Sequence, residues 1–288
     1  YNQLSFIKGG LIYADHITTV SPTYADEICT YEFGYGLEGL LSYRAGQGRL
    51  SGILNGIDEH EWQPATDKNI AKNFSVKSLR DKKQNKIAVQ ERFHLPVKED
   101  VLLIGLISRL VSQKGIDLSL EALDRLLKTN QAIQFVCLGS GEEEYEHNLR
   151  ILRASFPDKV AVHIGYDEVL AHQIEAGADV FLMPSRFEPC GLNQMYSLQY
   201  GTLPIVRSTG GLEDTVVDAS EQNRKHGTAN GFKFEQASSE VLENTFYRVI
   251  DLFKHPRIWR KMMITAMEQD FSWENSAKQY DALYEQIN

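Results

Sequence analysis

Five short apolar runs, each followed by a segment with helical spacing, most strongly restrict how this chain folds. The runs span residues 101–107, 133–138, 160–164, 180–183 and 203–206. Strands that alternate with helices predict an α/β fold with a doubly wound parallel sheet. Because ligands of such sheets bind beyond the carboxyl ends of the strands, functional residues are expected there.

The first polar turn of interest follows the strand predicted at residues 180–183 and precedes a helix predicted at 191–200. The run at 180–183 has no alternation of polar and apolar side chains, which is typical of a strand covered on both faces. A helix begins with backbone N–H groups that have no partner inside it, and these groups attract anions. The sequence therefore predicts an anion site at the backbone of Cys190, Gly191, Leu192 and Asn193.

A second turn, rich in glycine, follows the next predicted strand, at residues 203–206. It precedes another short helix, so its backbone donors are also expected to be exposed, beside the first turn. The residues of this turn are Thr209, Gly210 and Gly211. Two donor-rich turns on adjacent strands suit a diphosphate group.

Two basic side chains bracket the turn after the first strand of the predicted sheet. Arg109 and Lys114 lie five residues apart in SRLVSQKG. The planar fork of a guanidinium and the point charge of an ammonium together could clamp two phosphate groups. A solvated turn explains the same residues, and their position at a strand end is what favours binding.

Three further side chains lie at predicted strand or helix ends. Tyr166 follows the strand at 160–164, where its ring either stacks on a base or sugar or is simply half-buried. Glu188 lies in a proline-flanked turn, where it either holds sugar hydroxyls, acts as a carboxylate catalyst or remains an exposed turn residue. A helix start lowers the pKa of a thiol such as that of Cys190, but no histidine is near in sequence. A packing role for Cys190 is therefore favoured over a covalent one.

Two glycine patterns predict structure rather than binding. The GxGxxG match at residues 34–39 has no apolar strand before it, and the segment is predicted to be a surface loop. Gly139 and Gly141 resemble a phosphate loop, but three glutamates follow them. Carboxylates there repel a diphosphate and favour an ordinary helix N-terminus.

The composition excludes several classes of protein. Of 288 residues, 42% are hydrophobic and 24% are charged, as in globular domains. The net charge of -9 argues against a nucleic-acid partner. No apolar run reaches ~18 residues, so neither a membrane-spanning helix nor a membrane partner is predicted. The three cysteines include no CxxC pair, which fits a reducing compartment.

Motifs for metal and nucleotide chemistry are also absent. The sequence has no DxD, HExxH, CxxC, GxSxG or GxxxxGK[ST]. Metal-held phosphate, zinc, serine-hydrolase and P-loop chemistry therefore lack their usual signals. We expect no metal and no cofactor, so that Arg, Lys and backbone N–H groups meet the charge of a leaving group.

Taken together, these segments resemble the second half of bacterial glycogen synthases and plant starch synthases, which are retaining GT-B glucosyltransferases. The resemblance runs almost end to end. It rests on ADHITTVSPTYADEI at 14–28, GILNGID at 52–58, ISRLVSQKGIDL at 107–118, ADVFLMPSRFEPCGLNQMYSLQYGTLPIVRSTGGLEDTV at 178–216 and FSWENSAKQY at 271–280. The third and fourth segments are long and highly specific.

The resemblance implies a function. In that family ADP-glucose binds between two Rossmann-like domains, and its glucosyl group passes to the 4-hydroxyl of an α-1,4-glucan with retention. By resemblance, Arg109 and Lys114 contact the diphosphate and Tyr166 the base. Glu188, with the backbone of residues 190–192, contacts the glucosyl group and phosphate.

The implied partners are ADP-glucose or ADP and a glucan, either glycogen or starch. The implied compartment is the cytoplasm for a bacterial protein and the plastid stroma for a plant or algal one. The alternatives are a non-catalytic nucleotide- or glucan-binding module, or another nucleotide-sugar-dependent GT-B transferase.

The resemblance also implies how the chain is divided. Residues 1–63 resemble the tail of a truncated amino-terminal domain, 64–100 a linker with boundary helices, and 101–270 the donor-binding domain. Residues 271–288 resemble a helix that packs back on the first domain. The family's Lys-x-Gly-Gly loop and sugar-side histidine are expected to lie before residue 1, which leaves the acceptor side of the cleft incomplete. Many related transferases have a second glutamate where this chain has Tyr196.

Overall fold

The structure, a computed structural model, describes residues 4–129 and 131–287. Its strands are β1 (Ile17–Thr19), β2 (Leu50–Gly52), β3 (Leu102–Leu110), β4 (Ile133–Gly141), β5 (Val160–Ile164), β6 (Val180–Met183), β7 (Leu203–Arg207) and β8 (Phe232–Phe234). Strands β3 to β8 form one parallel sheet in the order β5-β4-β3-β6-β7-β8, and β1 pairs with β2 in a separate parallel sheet. The predicted doubly wound parallel sheet is confirmed.

Helices connect and cover these strands. They are α1 (Phe6–Tyr13), α2 (Pro22–Glu27), α3 (Glu38–Gly46), α4 (Lys82–Arg92), α5 (Ile116–Leu127), α6 (Glu143–Ser155), α7 (Glu168–Gly177), α8 (Asn193–Gln199), α9 (Gly210–Thr215), α10 (Glu221–His226), α11 (Ser239–Phe253), α12 (Pro256–Met267) and α13 (Trp273–Ile287). Short 3₁₀ helices span Val76–Asp81 and Ser112–Lys114. Among the described residues, no helix is both long enough and apolar enough to cross a membrane.

The order of the strands determines where the sheet has a crevice. The chain runs outward from β3 through β4 to β5, then crosses back and runs outward on the other side from β6 to β8. Strands β3 and β6 are therefore neighbours whose connections leave in opposite directions. Such a switch point opens a crevice beyond the carboxyl ends of the two strands.

Apolar side chains pack on both faces of the sheet. On one face, β3, β4 and β7 pack against helices α5, α11 and α12, through residues such as Leu123, Phe246 and Trp259. On the other face, Val89 of α4 and Ile174 of α7 pack against Leu103. Burial on both sides explains why the strands read as continuous apolar runs.

Several boundaries differ from those predicted. Strand β3 continues three residues beyond the predicted end at 107. The spacing after residue 231 favours helix nearly throughout, but residues 232–234 form the short strand β8. The surface loop predicted at residues 34–39 runs into helix α3, which begins at Glu38. That helix persists despite Gly39 because it buries Leu41 and Arg44, which offsets the cost of glycine. The pattern of residues 3–13 also favours a helix, and α1 covers Phe6–Tyr13 of this range; residue 3 lies outside the described residues.

The carboxyl-terminal helix lies against the segment that follows β2. The Ile57 N–H donates to the Phe271 carbonyl at 2.9 Å, and Ile57 forms a parallel bridge with Ser272. The Ser276 hydroxyl donates to the Leu54 carbonyl at 2.6 Å. The predicted division of the chain at residues 63, 100 and 270 stays a prediction.

Candidate functional site

A cleft of about 200 Å³, partly open to solvent, lies at the switch point between β3 and β6. The turns that follow both strands line it, as does the start of α8. Six of the residues singled out from the sequence are among its walls: Arg109, Lys114, Glu188, Gly191, Leu192 and Asn193. Segments about 75 residues apart in sequence thus meet where the topology places a ligand.

Lys114 and Glu188 form an ion pair inside this cleft. The Lys114 ammonium donates to Oε2 of Glu188 at 2.5 Å, and the Ser185 hydroxyl donates to the same oxygen at 3.1 Å. Their side chains are 18% and 9% exposed. Glu188 is therefore a largely buried carboxylate that two hydrogen bonds hold in place. The alternative prediction of an exposed turn glutamate is wrong.

A glycine allows the two turns to approach each other. Gly115 has a left-handed backbone with φ 65°, and a Cβ there would lie 2.2 Å from the Pro184 carbonyl oxygen. The helix Ser112–Lys114 consequently packs on the turn that carries Glu188. The Gln113 side chain donates to the Phe187 carbonyl at 3.2 Å, which joins the turns on their other side.

Arg109 projects from strand β3 and not from the turn after it. It pairs in register with Ser140 of β4, and that pairing extends to Gly141. Side chains at Gly139 or Gly141 would come within 2.1 or 2.3 Å of carbonyl oxygens of β3, so these glycines permit the longer strand. The predicted helix with acids in its first turn begins at Glu143, but the two glycines themselves lie in strand β4 and not at the helix start. Arg109 is exposed, and its guanidinium reaches Gln113 at 3.4 Å.

The start of α8 forms the floor of the cleft. Leu192 is its N-cap and makes no side-chain capping hydrogen bond, so the first backbone N–H groups of the helix are not capped by it. The Asn193 side chain donates to the Ile107 carbonyl at 3.0 Å and ties the helix to β3. Gln194 donates to the Cys190 and Gly191 carbonyls, each at 3.0 Å, and fixes the turn before the helix.

Cys190 faces away from the cleft. Its side chain packs with Ile57 and Met195. Burial raises the pKa of the Cys190 thiol, although the Asn55 amide partly offsets this. A thiol buried in apolar surroundings is a poor nucleophile, so the geometry favours the packing role.

The hydrogen-bond donors of the second glycine turn are engaged by other residues of the protein. The Glu27 carboxylate accepts hydrogen bonds from the Thr209 hydroxyl at 2.8 Å and from the Gly210 N–H at 3.0 Å. The Gly211 N–H donates to the Glu188 carbonyl at 3.1 Å. The expectation of exposed donors at Gly210 and Gly211 is therefore wrong for this conformation.

The glycines of this turn have a steric role. Gly210 has φ 45°, and a Cβ on it would lie 2.0 Å from the Glu188 carbonyl oxygen. A Cβ on Gly211 would lie 2.0 Å from the Cys190 carbonyl oxygen. Only glycine allows the backbone of α9 to lie directly on the turn that carries Glu188.

Tyr166 is not brought into the cleft. Its side chain is 86% exposed and follows β5, the edge strand, with β4 between it and β3. The alternative of a half-buried tyrosine is wrong, and contact with a base stays a prediction.

Sequence reasoning missed the roles of three polar side chains that shape the cleft: Ser185, Asn193 and Gln113. Each lies in a turn or at a helix start within three residues of a residue that was singled out. That position was the available signal, because such side chains commonly hydrogen-bond across turns.

The parallel sheet and the cleft at its switch point agree with the protein families that the sequence matches. Residues 89–264 match the family described as Glycosyl transferases group 1, and residues 1–43 match the Starch synthase catalytic domain. The first match covers more than half of the chain. The chain belongs to the group 1 glycosyl transferases.

Curated relatives of this transferase are bacterial glycogen synthases. That of Cellvibrio japonicus is 54% identical over 284 residues, which cover 99% of this chain and 58% of the relative. That of Haemophilus influenzae strain PittEE is 50% identical over 287 residues, which cover 100% of this chain and 60% of the relative. The chain thus spans about 60% of the length of these relatives.

Solved structures agree with the fold of the transferase. The catalytic domain of starch synthase IV from Arabidopsis thaliana, bound to ADP and acarbose, matches with a TM-score of 0.90 and 38% identity. The match covers 98% of this chain and 57% of the other. A sucrose-phosphate synthase from Thermosynechococcus elongatus, 20% identical with a TM-score of 0.65, shows likeness of fold alone. The predicted GT-B fold is confirmed.

Proposed function

We propose that this transferase is the donor-binding part of a glucan synthase that moves glucose from ADP-glucose to the non-reducing 4-hydroxyl of an α-1,4-glucan. One observation carries the proposal: Arg109, Lys114 and Glu188 converge on a single cleft at the switch point of the sheet. Support comes from the bacterial relatives named glycogen synthase and from the plant starch synthase solved with ADP and acarbose.

In this proposal the cations hold the diphosphate of the donor. Arg109 is exposed at the mouth, and Lys114 lies deeper beside Glu188. Two positive groups of different shape suit two phosphate groups, because the guanidinium binds through a planar fork and the ammonium as a point charge. Metal ions are then not needed to hold the diphosphate.

Glu188 has a different task in the proposal. An acceptor-only carboxylate beside the phosphate site suits the hydroxyl groups of the glucosyl unit. Lys114 and Ser185 hold Oε2 of this carboxylate, which orients the group toward the donor. We propose Glu188 as the residue that positions the sugar and stabilises positive charge at its anomeric carbon.

The reaction proposed is a front-face displacement with retention. The bond between the anomeric carbon and the diphosphate oxygen breaks, and a bond to the acceptor 4-hydroxyl oxygen forms on the same face. The proton of that hydroxyl passes to the departing diphosphate, so no separate base is required. Arg109 and Lys114 stabilise the charge that develops on the diphosphate, which is the largest single contribution in many enzymes.

The proposed partners are ADP-glucose and a glucan such as glycogen, and the proposed compartment is the bacterial cytoplasm, in line with bacterial relatives. The test is incorporation of labelled glucose from ADP-glucose into glycogen. It compares these 288 residues alone with the same chain extended at its amino terminus by the domain that its longer relatives carry.

The short chain is expected to bind ADP but to leave glucan elongation at background. Holding the acceptor against the donor and excluding water supply roughly 7 to 11 kcal/mol of catalysis, and both need an opposing wall. The extended chain is expected to transfer glucose. Inactivity of the extended chain with ADP-glucose, with ADP binding retained, would favour a binding module over a synthase.

A further inference from the structure

Outside the cleft, three potential metal ligands converge on one point of the surface. Glu61 lies between β2 and the first 3₁₀ helix, and Glu168 and His172 lie on the first turns of α7. One ligand atom from each lies within 4.8 Å of the others. None of these residues lines the cleft between β3 and β6.

The histidine of this cluster has one nitrogen engaged and one without a partner. His172 is fully buried, and its Nδ1 lies 2.8 Å from Oδ2 of Asp67. No hydrogen-bond partner reaches its Nε2 from the part of the chain that the structure describes. Because a buried polar atom without a partner is costly, this nitrogen calls for a ligand.

Asp67 determines which nitrogen carries the proton. Its carboxylate also accepts from the Tyr200 hydroxyl at 2.5 Å and from the Asn69 N–H at 2.8 Å. A metal binds the neutral imidazole, in which only one ring nitrogen carries a proton. With that proton on Nδ1, toward Asp67, the unpartnered Nε2 is the nitrogen left to coordinate an ion.

Trp62 fixes the plane of the imidazole. Its ring lies parallel to His172 at 3.9 Å with an interplanar angle of 8°. Its other face stacks on Tyr196 at 3.9 Å and 9°. A carboxylate that holds the far nitrogen of a ring already clamped in place is the usual outer support of a metal-ligating histidine.

The three groups at the point of convergence are all acceptors. A ring nitrogen of His172 and one oxygen of each glutamate lie within 4.8 Å of one another, and Nε2 has no partner among the described residues. A cation is the species that satisfies all three groups. We propose that Glu61, Glu168 and His172 bind a divalent transition-metal ion of the zinc class, supported by Asp67.

The chemistry of the ligands selects the kind of ion. An imidazole nitrogen suits zinc and its neighbours, whereas Mg²⁺ and Ca²⁺ prefer oxygen ligands alone. Bonds of about 2.1 Å in a tetrahedral site place ligand atoms roughly 3.4 Å apart, so the glutamates have to close on the ring. Both are exposed and free to do so, and water completes the coordination. The ion would tie residue 61 to α7 and takes no part in transfer.

The test uses the 288-residue chain without any affinity tag, first stripped with a chelator and then titrated calorimetrically with Zn²⁺. Co²⁺ is titrated in parallel, with its visible absorption as a second readout. We expect saturable binding of one ion per chain and a rise in melting temperature, because an ion that binds only the folded state stabilises it. Millimolar Mg²⁺ is expected not to compete.

Substitutions at the two exposed glutamates locate the ion. Glu61→Gln and Glu168→Gln are each expected to weaken Zn²⁺ binding tenfold or more, with the melting temperature of the metal-free chain unchanged. Glu59→Gln is the matched control, because Glu59 is also exposed but is outside the cluster. The proposal fails if the parent chain shows no saturable binding, or if both glutamine variants bind as tightly as the Glu59 control.

Discussion

Replacing Lys114 by alanine is the most informative perturbation of the cleft. A charge-assisted hydrogen bond between a partly buried ammonium and a phosphate contributes roughly 1.5 to 3 kcal/mol, which is roughly 10- to 150-fold in Kd. Lys114 is 18% exposed and held by Glu188, so it is already in place before a ligand arrives. We therefore expect Lys114→Ala to weaken ADP binding at least tenfold.

Because Lys114 is paired with Glu188, Lys114→Ala is expected to cost more ADP affinity than the loss of one contact to phosphate. Without Lys114, the buried carboxylate of Glu188 has no counter-ion and lies close to the phosphate. If Lys114 contacts both groups, at 2.5 Å and at about 3 Å, their oxygens are at most about 5.5 Å apart. At an effective dielectric of about 20, the repulsion is about 3 kcal/mol.

This repulsion gives a specific rescue experiment. The double variant Lys114→Ala/Glu188→Gln has no carboxylate charge beside the phosphate, so it is expected to bind ADP about tenfold or more tightly than Lys114→Ala alone. Calorimetric titration of ADP into the parent, both single variants and the double variant measures the coupling, with thermal melts to verify folding. A double variant that binds no more tightly than Lys114→Ala would refute the placement of Glu188 beside the phosphate.

Three further predictions concern the sugar, the metal and acid stability. Glu188→Gln is expected to lower the affinity for ADP-glucose about tenfold or more relative to the affinity for ADP, because the carboxylate faces the sugar. ADP binding itself is expected not to weaken, because a negative charge beside the phosphate is removed; equal losses for both ligands would contradict this role. ADP affinity is expected to be the same with and without Mg²⁺ in chelator-treated protein, since two cations already hold the phosphates; a clear gain with Mg²⁺ would overturn the metal-free clamp. Arg186 donates to both oxygens of Asp117 at 2.7 and 2.6 Å and lowers the pKa of that carboxyl. The stabilisation of the folded state by this ion pair is present above the ordinary carboxyl pKa of about 3.9 and is lost as the pH falls through the lowered pKa. Asp117→Asn is therefore expected to lose less stability in acid than the parent. Identical melting profiles of the two proteins between about pH 2 and pH 6 would argue against this contribution.

The sequence predicts the central part of this molecule well, for a physical reason. Strands β5 and β6 have the predicted boundaries because strands covered on both faces leave a continuous apolar signature. The same topology predicts that the turn with Lys114 and the turn with Glu188 meet, since both follow strands at the switch point. What local patterns cannot indicate is how the side chains pair there.

The features that escaped prediction depend on distant parts of the chain. Glu27 caps the turn at Gly210 across 183 positions, and His172 meets Asp67 across 105. Hydrophobic periodicity reports which face of an element is buried but not which distant polar group satisfies it. Strand β8 is only three residues long, so it has too few residues for a pattern.

The contact between Ile57 and Ser272 has a mechanical consequence. The chain leaves the small sheet of β1 and β2 just before residue 57 and returns beside the same residue at 271–273. A single flexible connection would let the small sheet rotate in every direction relative to the large one. Two segments of chain that are hydrogen-bonded side by side at residues 57 and 271 restrict twisting of the small sheet against the large one more than a single connection does.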